Sequence, residues 1–371
     1  MPVFALDPEQ QAWCERVREQ AATRLRPLAE AGEPGRVNRP LLAELARLGM
    51  LERLFPADGR PRALDLCLLR ESLARECTEA ETALALQGLG AHPVLCAPRL
   101  ARRWIPLVAS GRAVAAFALT EPDAGSDAAA LRLRAEPDGA GWRLTGTKRW
   151  ISNAPEADFY TVFARTAPDA GARGVTAFLV PADRPGLTGE PIRMLSPHPI
   201  GSLSFDGVPV GPDDLLGEPE RGFRVAMETL NLFRPSVGAF AVGMAGAALD
   251  AAVHHAGQRT AFGGPLKDLQ AVGHTLAEMA TRTEAARLLV LAAAEAYDAG
   301  APDIAKRSAM AKLFATETAQ YVVDAAVQLH GAGALRAGHL LEHLYREVRA
   351  PRIYEGATEV QRSIIARELY R

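Results

Sequence analysis

Leu119-Thr120-Glu121-Pro122-Asp123-Ala124-Gly125-Ser126-Asp127 ends a run of β-prone residues and opens a loop. Pro-Asp and Gly-Ser are turn formers, so a plain turn is one reading. A strand end built of small and hydroxylated residues also lets backbone amides approach a phosphate or a ring closely. The stretch lies within a region, about 113–210, whose texture is β: Ala113–Leu119, Trp142–Thr145, Phe159–Ala164, Val175–Val180 and Leu203–Phe205 are short β-prone runs. Pro137-Asp138-Gly139, Asp169-Ala170-Gly171 and Asp206-Gly207 punctuate them. Short strands separated by turn signals predict a compact barrel or sandwich.

On both sides of this region the pattern is helical. Toward the amino terminus, Asp7-Pro8-Glu9-Gln10 offers a capping aspartate and a first-turn proline. Leu41, Leu42, Leu45 and Leu48 repeat at helical spacing, and Leu64, Leu66, Leu68, Leu69 and Leu73 mark a further helix. Gly32-Glu33-Pro34-Gly35 and Pro56-Ala57-Asp58-Gly59-Arg60-Pro61 break the chain around the first of these. Beyond about residue 219 the chain is helical again. Ala239–His255 is rich in Ala and Gly, and Pro235 predicts a kink or a helix start. Leu266–Tyr297, Ile304–Gln328 and Glu355–Tyr370 are long helical patterns.

Composition narrows the function classes. The 371 residues imply two or three domains; 48% hydrophobic and 23% charged residues are ordinary for a globular protein. A net charge of −2 favours neither nucleic acid nor an anionic membrane. No apolar run reaches the roughly 20 residues needed to span a bilayer. The Met1–Asp7 start has no basic-then-apolar leader, which points to the cytoplasm. Cys14, Cys67, Cys77 and Cys96 form no CxxC pair and read as buried free thiols. His339-Leu340-Leu341-Glu342-His343 fits a zinc-protease pattern, but five residues recur by chance, no distal third ligand is evident, and no metal is expected.

Four further segments carry candidate chemistry. Thr145-Gly146-Thr147-Lys148-Arg149-Trp150-Ile151-Ser152-Asn153 reads plainly as a hairpin turn and a strand with a core tryptophan. Arg259-Thr260-Ala261-Phe262-Gly263-Gly264-Pro265-Leu266, ending at Gln270, reads as a helix–loop–helix corner. Gln328-Leu329-His330-Gly331-Ala332-Gly333-Ala334 reads as a glycine helix stop. Arg352-Ile353-Tyr354-Glu355-Gly356-Ala357-Thr358-Glu359-Val360-Gln361-Arg362 reads as an acidic turn before a helix.

In this order and at these separations, the segments at 119–127 and 352–362 resemble the two signature segments of the acyl-CoA dehydrogenase family. The resemblance extends over nearly the whole chain. It implies an α+β fold with an N-terminal α-helical domain at 1–112, a middle β-barrel domain at 113–218 and a C-terminal four-helix-bundle domain at 219–371. It implies FAD as cofactor and α,β-dehydrogenation of an acyl-CoA thioester, with Glu355 of the Tyr-Glu-Gly segment as catalytic base. Phe117, Leu119, Thr120, Gly125, Ser126, Trp150, Ile151 and Ser152 fall on flavin-contacting positions. Arg259, Phe262, Gln270, Gln328 and Gly331 fall on positions that meet the FAD of a neighbouring subunit, which implies a homo-oligomer, a dimer of dimers. Ala357, Thr358 and Glu359 fall on further FAD positions. Ser126, Leu230, Asn231, Arg234 and Gly356 fall on substrate positions, with Arg234-Pro235 matching a helix start along the pantetheine channel. An electron-transfer flavoprotein is the implied acceptor.

Several residues depart from the family pattern. Ala261 and Ala357 carry no hydroxyl, Ala332 and Ala334 stand for glycines, and Asn231 replaces a frequent aspartate. Phe233 occupies the position where some relatives carry the catalytic glutamate. The segments 54–62 and 196–201 also depart, and both lie toward the acyl or CoA end in relatives. Other readings are another flavoenzyme on this fold (an oxidase, a monooxygenase or a carrier-protein acyl dehydrogenase) and a non-catalytic helical interaction protein.

Overall fold

The computed structural model describes residues 6–56 and 61–370. The breaker at 57–60 and the Met1–Ala5 start lie outside the described residues. The chain forms two compact units, each made of separated segments: Pro27–Pro61 with Thr82–Leu230, and Met1–Arg26 with Arg62–Glu81 and Asn231–Arg371. In chain order the helices are α1 (Pro8–Gln20), α2 (Arg26–Glu30), α3 (Arg39–Arg47), α4 (Ala63–Glu76), α5 (Thr78–Ala91) and α6 (Pro98–Ala109) before the sheet. After it come α7 (Gly222–Gln258), α8 (Gln270–Asp298), α9 (Ile304–His330), α10 (Leu340–Glu347) and α11 (Thr358–Glu368). Helices, then strands, then helices is the order that the sequence predicts.

The first unit is built on a seven-stranded sheet. Its strands are β1 (Ala115–Ala118), β2 (Arg134–Asp138), β3 (Gly141–Ser152), β4 (Phe159–Arg165), β5 (Val175–Pro181), β6 (Leu187–Pro191) and β7 (Ile200–Val210). They run in the order β1-β4-β2-β3-β7-β6, with β5 antiparallel to β4. β4 and β5 are buried along almost their whole length, so their apolar runs were legible. β2 and β6 are mostly exposed, polar and contain proline, which hid them from a β-propensity reading. Asp206-Gly207 does not end a strand as expected. Pairing with β3 carries β7 through it, with a register shift and Gly207 at φ +62°. Gly146 is likewise no turn. It lies within β3 at φ +142°, where a Cβ would sit 3.0 Å from Leu133 Cδ1.

The sheet unit's core joins α6 to the strands, with Trp104 4.7 Å from Phe159 between ring centres. The buried Gln87 amide bridges Ala113 O (2.7 Å) and Ala115 N (2.8 Å), locking α5 to β1. Gly90 permits that approach, since a Cβ there would lie 2.7 Å from Ala116 N.

In the helical unit, α1 begins at the predicted capping residue Asp7, and Gln10 completes a full capping box with it. α1 packs on α4, α4 on α8, and α9 on α8, α10 and α11. α7 contributes to this unit from Asn231 onward. A Cβ at Gly243 would lie 2.5 Å from Glu71 O, so small residues let α7 and α4 approach, as the Ala/Gly texture predicts. Pro235 does not start a helix; the 37-residue α7 runs through it. Burial on this scale outweighs a proline's cost of about 3 kcal/mol. α7 is also long and apolar enough to cross a membrane by length and composition, although interspersed polar residues break its apolar run; 78% of its most apolar window is buried in protein.

Candidate active site

Within the sheet unit, the 119–127 and 145–153 segments are joined by one buried ion pair. Lys148 Nζ donates to Leu119 O (2.9 Å) and Glu121 Oε1 (2.8 Å). The Glu121 carboxylate also accepts from Arg132 N (2.5 Å) and Leu133 N (2.8 Å), closing the loop that contains Gly125 and Ser126. Arg149 N donates to Thr120 O at 3.0 Å. Burial lowers the Lys148 ammonium to about 8 against the opposing pull of Glu121.

The β3 register slips between Lys148 and Ile151, and Trp150 sits there at φ +62°. This bulge turns Trp150 out of the core: it is 46% exposed, with the Arg149 guanidinium 4.9 Å from its ring centre. The expectation of a flavin-covering tryptophan, rather than a core one, thus has an exposed indole to work with. Among the described residues, the hydroxyls of Thr120, Ser126 and Ser152 take no intramolecular partner. Leu119 and Ile151 are buried, Phe117 packs on Phe163 at 4.9 Å, and Leu230 belongs to the same unit's core.

Within the helical unit, Glu355 is not the start of a helix, as its pattern suggested. Glu355 and Gly356 form a left-handed turn, φ +50° and +97°, ahead of α11. Only strong bracing keeps a non-glycine residue there. Three side chains supply it. Lys312 Nζ of α9 donates to Gly356 O at 2.7 Å. Gln361 Nε2 of α11 donates to Gly356 O (2.9 Å) and Glu355 O (3.3 Å). Arg234 Nε of α7 donates to Glu355 O (3.4 Å), and its Nη1 to Asn231 Oδ1 (3.1 Å). Position 356 favours glycine, since L side chains rarely adopt its φ of +97°, and a Cβ there would also push on the Gln361 amide that braces the turn.

The Glu355 side chain has a distinctive environment. Its Oε2 is buried and accepts no hydrogen bond among the described residues. Burial raises its pKa above the usual 4.5, while Arg70, Lys312 and Arg234, in that order, pull it down. Arg70 is itself buried, paired with Glu81, and donates to Ser236 Oγ at 2.6 Å. None of Lys312, Gln361, Arg70 and Glu81 was singled out as a site residue from sequence; they act through the fold, and no local pattern announces them. Phe233 is buried on α7 and offers no carboxylate.

Thr358, expected at the cofactor, is buried and donates its hydroxyl to Glu317 Oε1 at 2.8 Å, so that proton is committed. Ala357 precedes α11 without a side-chain cap, and Glu359 is exposed in the first turn. Arg259, Phe262, Gln270, Gln328 and Gly331 are exposed, Phe262 to 92%. The His255 and His330 rings stack at 4.1 Å, bringing the end of α7 that leads to Arg259 beside the end of α9 that carries Gln328 and Gly331. The Arg259 corner contains a small hairpin, Thr260–Ala261 paired with Gly264–Pro265, with Phe262 and Gly263 at positive φ at its tip.

The two histidines of the zinc-like pattern have other duties. His339 Nδ1 caps α10 through Leu341 N (3.1 Å), and His343 Nε2 lies 2.6 Å from Thr78 Oγ1. Cys14, Cys67 and Cys77 are buried as expected; Cys96 is exposed, correcting the expectation for that thiol.

Three family profiles cover the chain: the acyl-CoA dehydrogenase N-terminal domain at residues 7–112, the middle domain at 116–208 and the C-terminal domain at 220–370. A probable acyl-CoA dehydrogenase of Mycobacterium tuberculosis is 36% identical over 378 residues, covering 100% of this chain and 97% of the relative. The mitochondrial short-chain specific acyl-CoA dehydrogenase of Bos taurus is 36% identical over 362 residues, covering 95% and 88%. The structure of butyryl-CoA dehydrogenase from Megasphaera elsdenii superposes with a TM-score of 0.92 at 31% identity, covering 99% and 100%. The chain therefore belongs to the acyl-CoA dehydrogenase family and is an FAD-dependent oxidoreductase of acyl-CoA thioesters.

Proposed function

We propose that this enzyme converts an acyl-CoA to its trans-2-enoyl-CoA, with Glu355 removing the α-proton. The observation that carries the reading is the Glu355 carboxylate: one oxygen buried and unpartnered, its pKa raised by burial, on a rigidly braced turn. A desolvated carboxylate is a stronger base, and here no hydrogen bond has to be broken before Oε2 takes a proton. The Glu355 N–H has no acceptor among the described residues, which leaves it to bind the thioester oxygen as negative charge develops there.

The residues present fit a flavin. The outward-turned Trp150 indole offers a ring face, and the unpartnered hydroxyls of Thr120, Ser126 and Ser152 offer polar contacts. FAD held there would supply the two-electron acceptor for the hydride that leaves Cβ. On this reading Ser126 and Leu230 of the sheet unit, and Asn231, Arg234 and Gly356 of the helical unit, are substrate-contacting residues, and the domains divide at 112/113 and 218/219. The physiological acceptor is an electron-transfer flavoprotein, and the enzyme works in the cytoplasm as a dimer of dimers.

The test is anaerobic bleaching of the yellow holoenzyme by a panel of acyl-CoA thioesters, short to long and straight to branched. The reduction rate should fall with acid as Glu355 is protonated, with a midpoint above the 4.5 of an ordinary glutamate because burial disfavours the anion. No bleaching by any thioester would overturn the proposal.

The oligomer has its own test. The exposed Arg259, with its guanidinium suited to pyrophosphate, is proposed to complete a neighbour's cofactor site. Arg259→Ala should release FAD more readily during gel filtration. A fully active, FAD-saturated monomer in sedimentation would contradict the assembly.

A further inference from the structure

Lys312 is wholly buried in the middle of α9, far in sequence from any segment that names the cofactor or substrate. Burying an ammonium costs several kcal/mol, which partners in the fold must offset. Its Nζ has one hydrogen-bond acceptor among the described residues, Gly356 O at 2.7 Å. That carbonyl belongs to the residue after the proposed base, in a turn whose backbone is held left-handed at Glu355. The same oxygen takes a second donor from Gln361 at 2.9 Å.

We propose that Lys312 is the positioning residue of the catalytic base: its hydrogen bond to Gly356 O fixes the Glu355 turn and sets its ammonium among the charges around that residue. This rests on Glu355 being the base. Two consequences follow from the geometry. Release of Gly356 O leaves the turn on Gln361 and the long Arg234 contact, so the carboxylate loses its aim. Removal of the ammonium leaves Arg70 of α4 and Arg234 of α7 as the cations acting on Glu355, with Tyr354 and Glu81 also acting around Arg70. On Lys312 itself act Glu355, Arg234, Glu317 and Glu359, and burial lowers its pKa to about 8. It is thus charged below about pH 8.

Two variants separate the roles. Lys312→Met removes donor and charge; Lys312→Gln removes charge and keeps an amide donor of shorter reach. Both are assayed as FAD-loaded protein by stopped-flow reduction against pH, and by infrared titration of the Glu355 carboxyl without substrate. In Lys312→Met the limiting reduction rate should fall by roughly 10²-fold with little change in KM, as expected for a misplaced catalytic group. In both variants the Glu355 titration should move to higher pH, because a nearby cation has gone. An unmoved titration in Lys312→Gln overturns the proposal even if Lys312→Met fails to fold. A Glu355→Gln enzyme that keeps its rate would instead remove the base assignment, while the carboxyl titration would still report whether Lys312 controls Glu355.

Discussion

Glu355→Gln is expected to keep its FAD, bind acyl-CoA, and lose flavin reduction by at least about 10²- to 10⁴-fold, the usual contribution of a general base. The glutamine preserves the side-chain shape, so the brace from Lys312, Gln361 and Arg234 to the turn carbonyls stays intact. What goes is the buried carboxylate oxygen that no protein group occupies. Nothing replaces it, since Phe233, where some relatives carry the base, is phenylalanine here. Anaerobic stopped-flow reduction with a good substrate decides the matter. A rate within about tenfold of the parent, below the low end of that range, places the base elsewhere. The double change Glu355→Gly with Phe233→Glu should regain part of the rate, since Arg234, next in sequence, already reaches Glu355 O.

The second large effect is on stability. Arg70→Met should destabilise the folded enzyme by about 3–5 kcal/mol, because it leaves the Glu81 carboxylate buried without its guanidinium. That is a large share of a typical folding free energy of about 5–15 kcal/mol. The double variant Arg70→Met with Glu81→Leu should recover most of the loss, since a buried pair gains little over well-packed apolar side chains. It should not recover the electrostatics of the site. Arg70 is the leading cation drawing the Glu355 pKa down, so the acid limb of the reduction profile should move to higher pH in the stable double variant. Thermal melting separates the first effect from the second. Equal melting of the single and double variants would show that the pair is not the unit assumed here.

What the sequence revealed and what it hid divide along a physical line. Capping and periodicity announced α1, α3 and α4, because those signals lie within one or two helical turns. The buried β4 and β5 were legible as apolar runs, whereas β2 and β6 carry too little buried surface to mark themselves. Glu355 was found through the resemblance of its flanking residues, but its left-handed backbone was not foreseen. The pattern Glu355–Tyr370 looked uniformly helical, whereas the first residues form a left-handed turn whose carbonyls the side chains of Lys312, Gln361 and Arg234 hold. The Glu121–Lys148 pair was equally hidden, because it depends on the loop after β1 meeting the interior of β3 across 27 residues. Thr358 shows the converse: a hydroxyl at a family position whose proton the fold gives to Glu317.

The interleaving of the two units sets an order for biosynthesis. The sheet unit's last residue is Leu230, so all of its strands have been made while the final segment, Asn231–Arg371, is still to come. At roughly 5–20 residues per second, that segment takes on the order of ten seconds to appear. During that interval α1 and α4 have each other but not α8, against which α4 packs. The leucine-rich face of α4 is therefore a nascent-chain surface awaiting its cover, and the time it waits is set by the ribosome rather than by the folding rate of the helices.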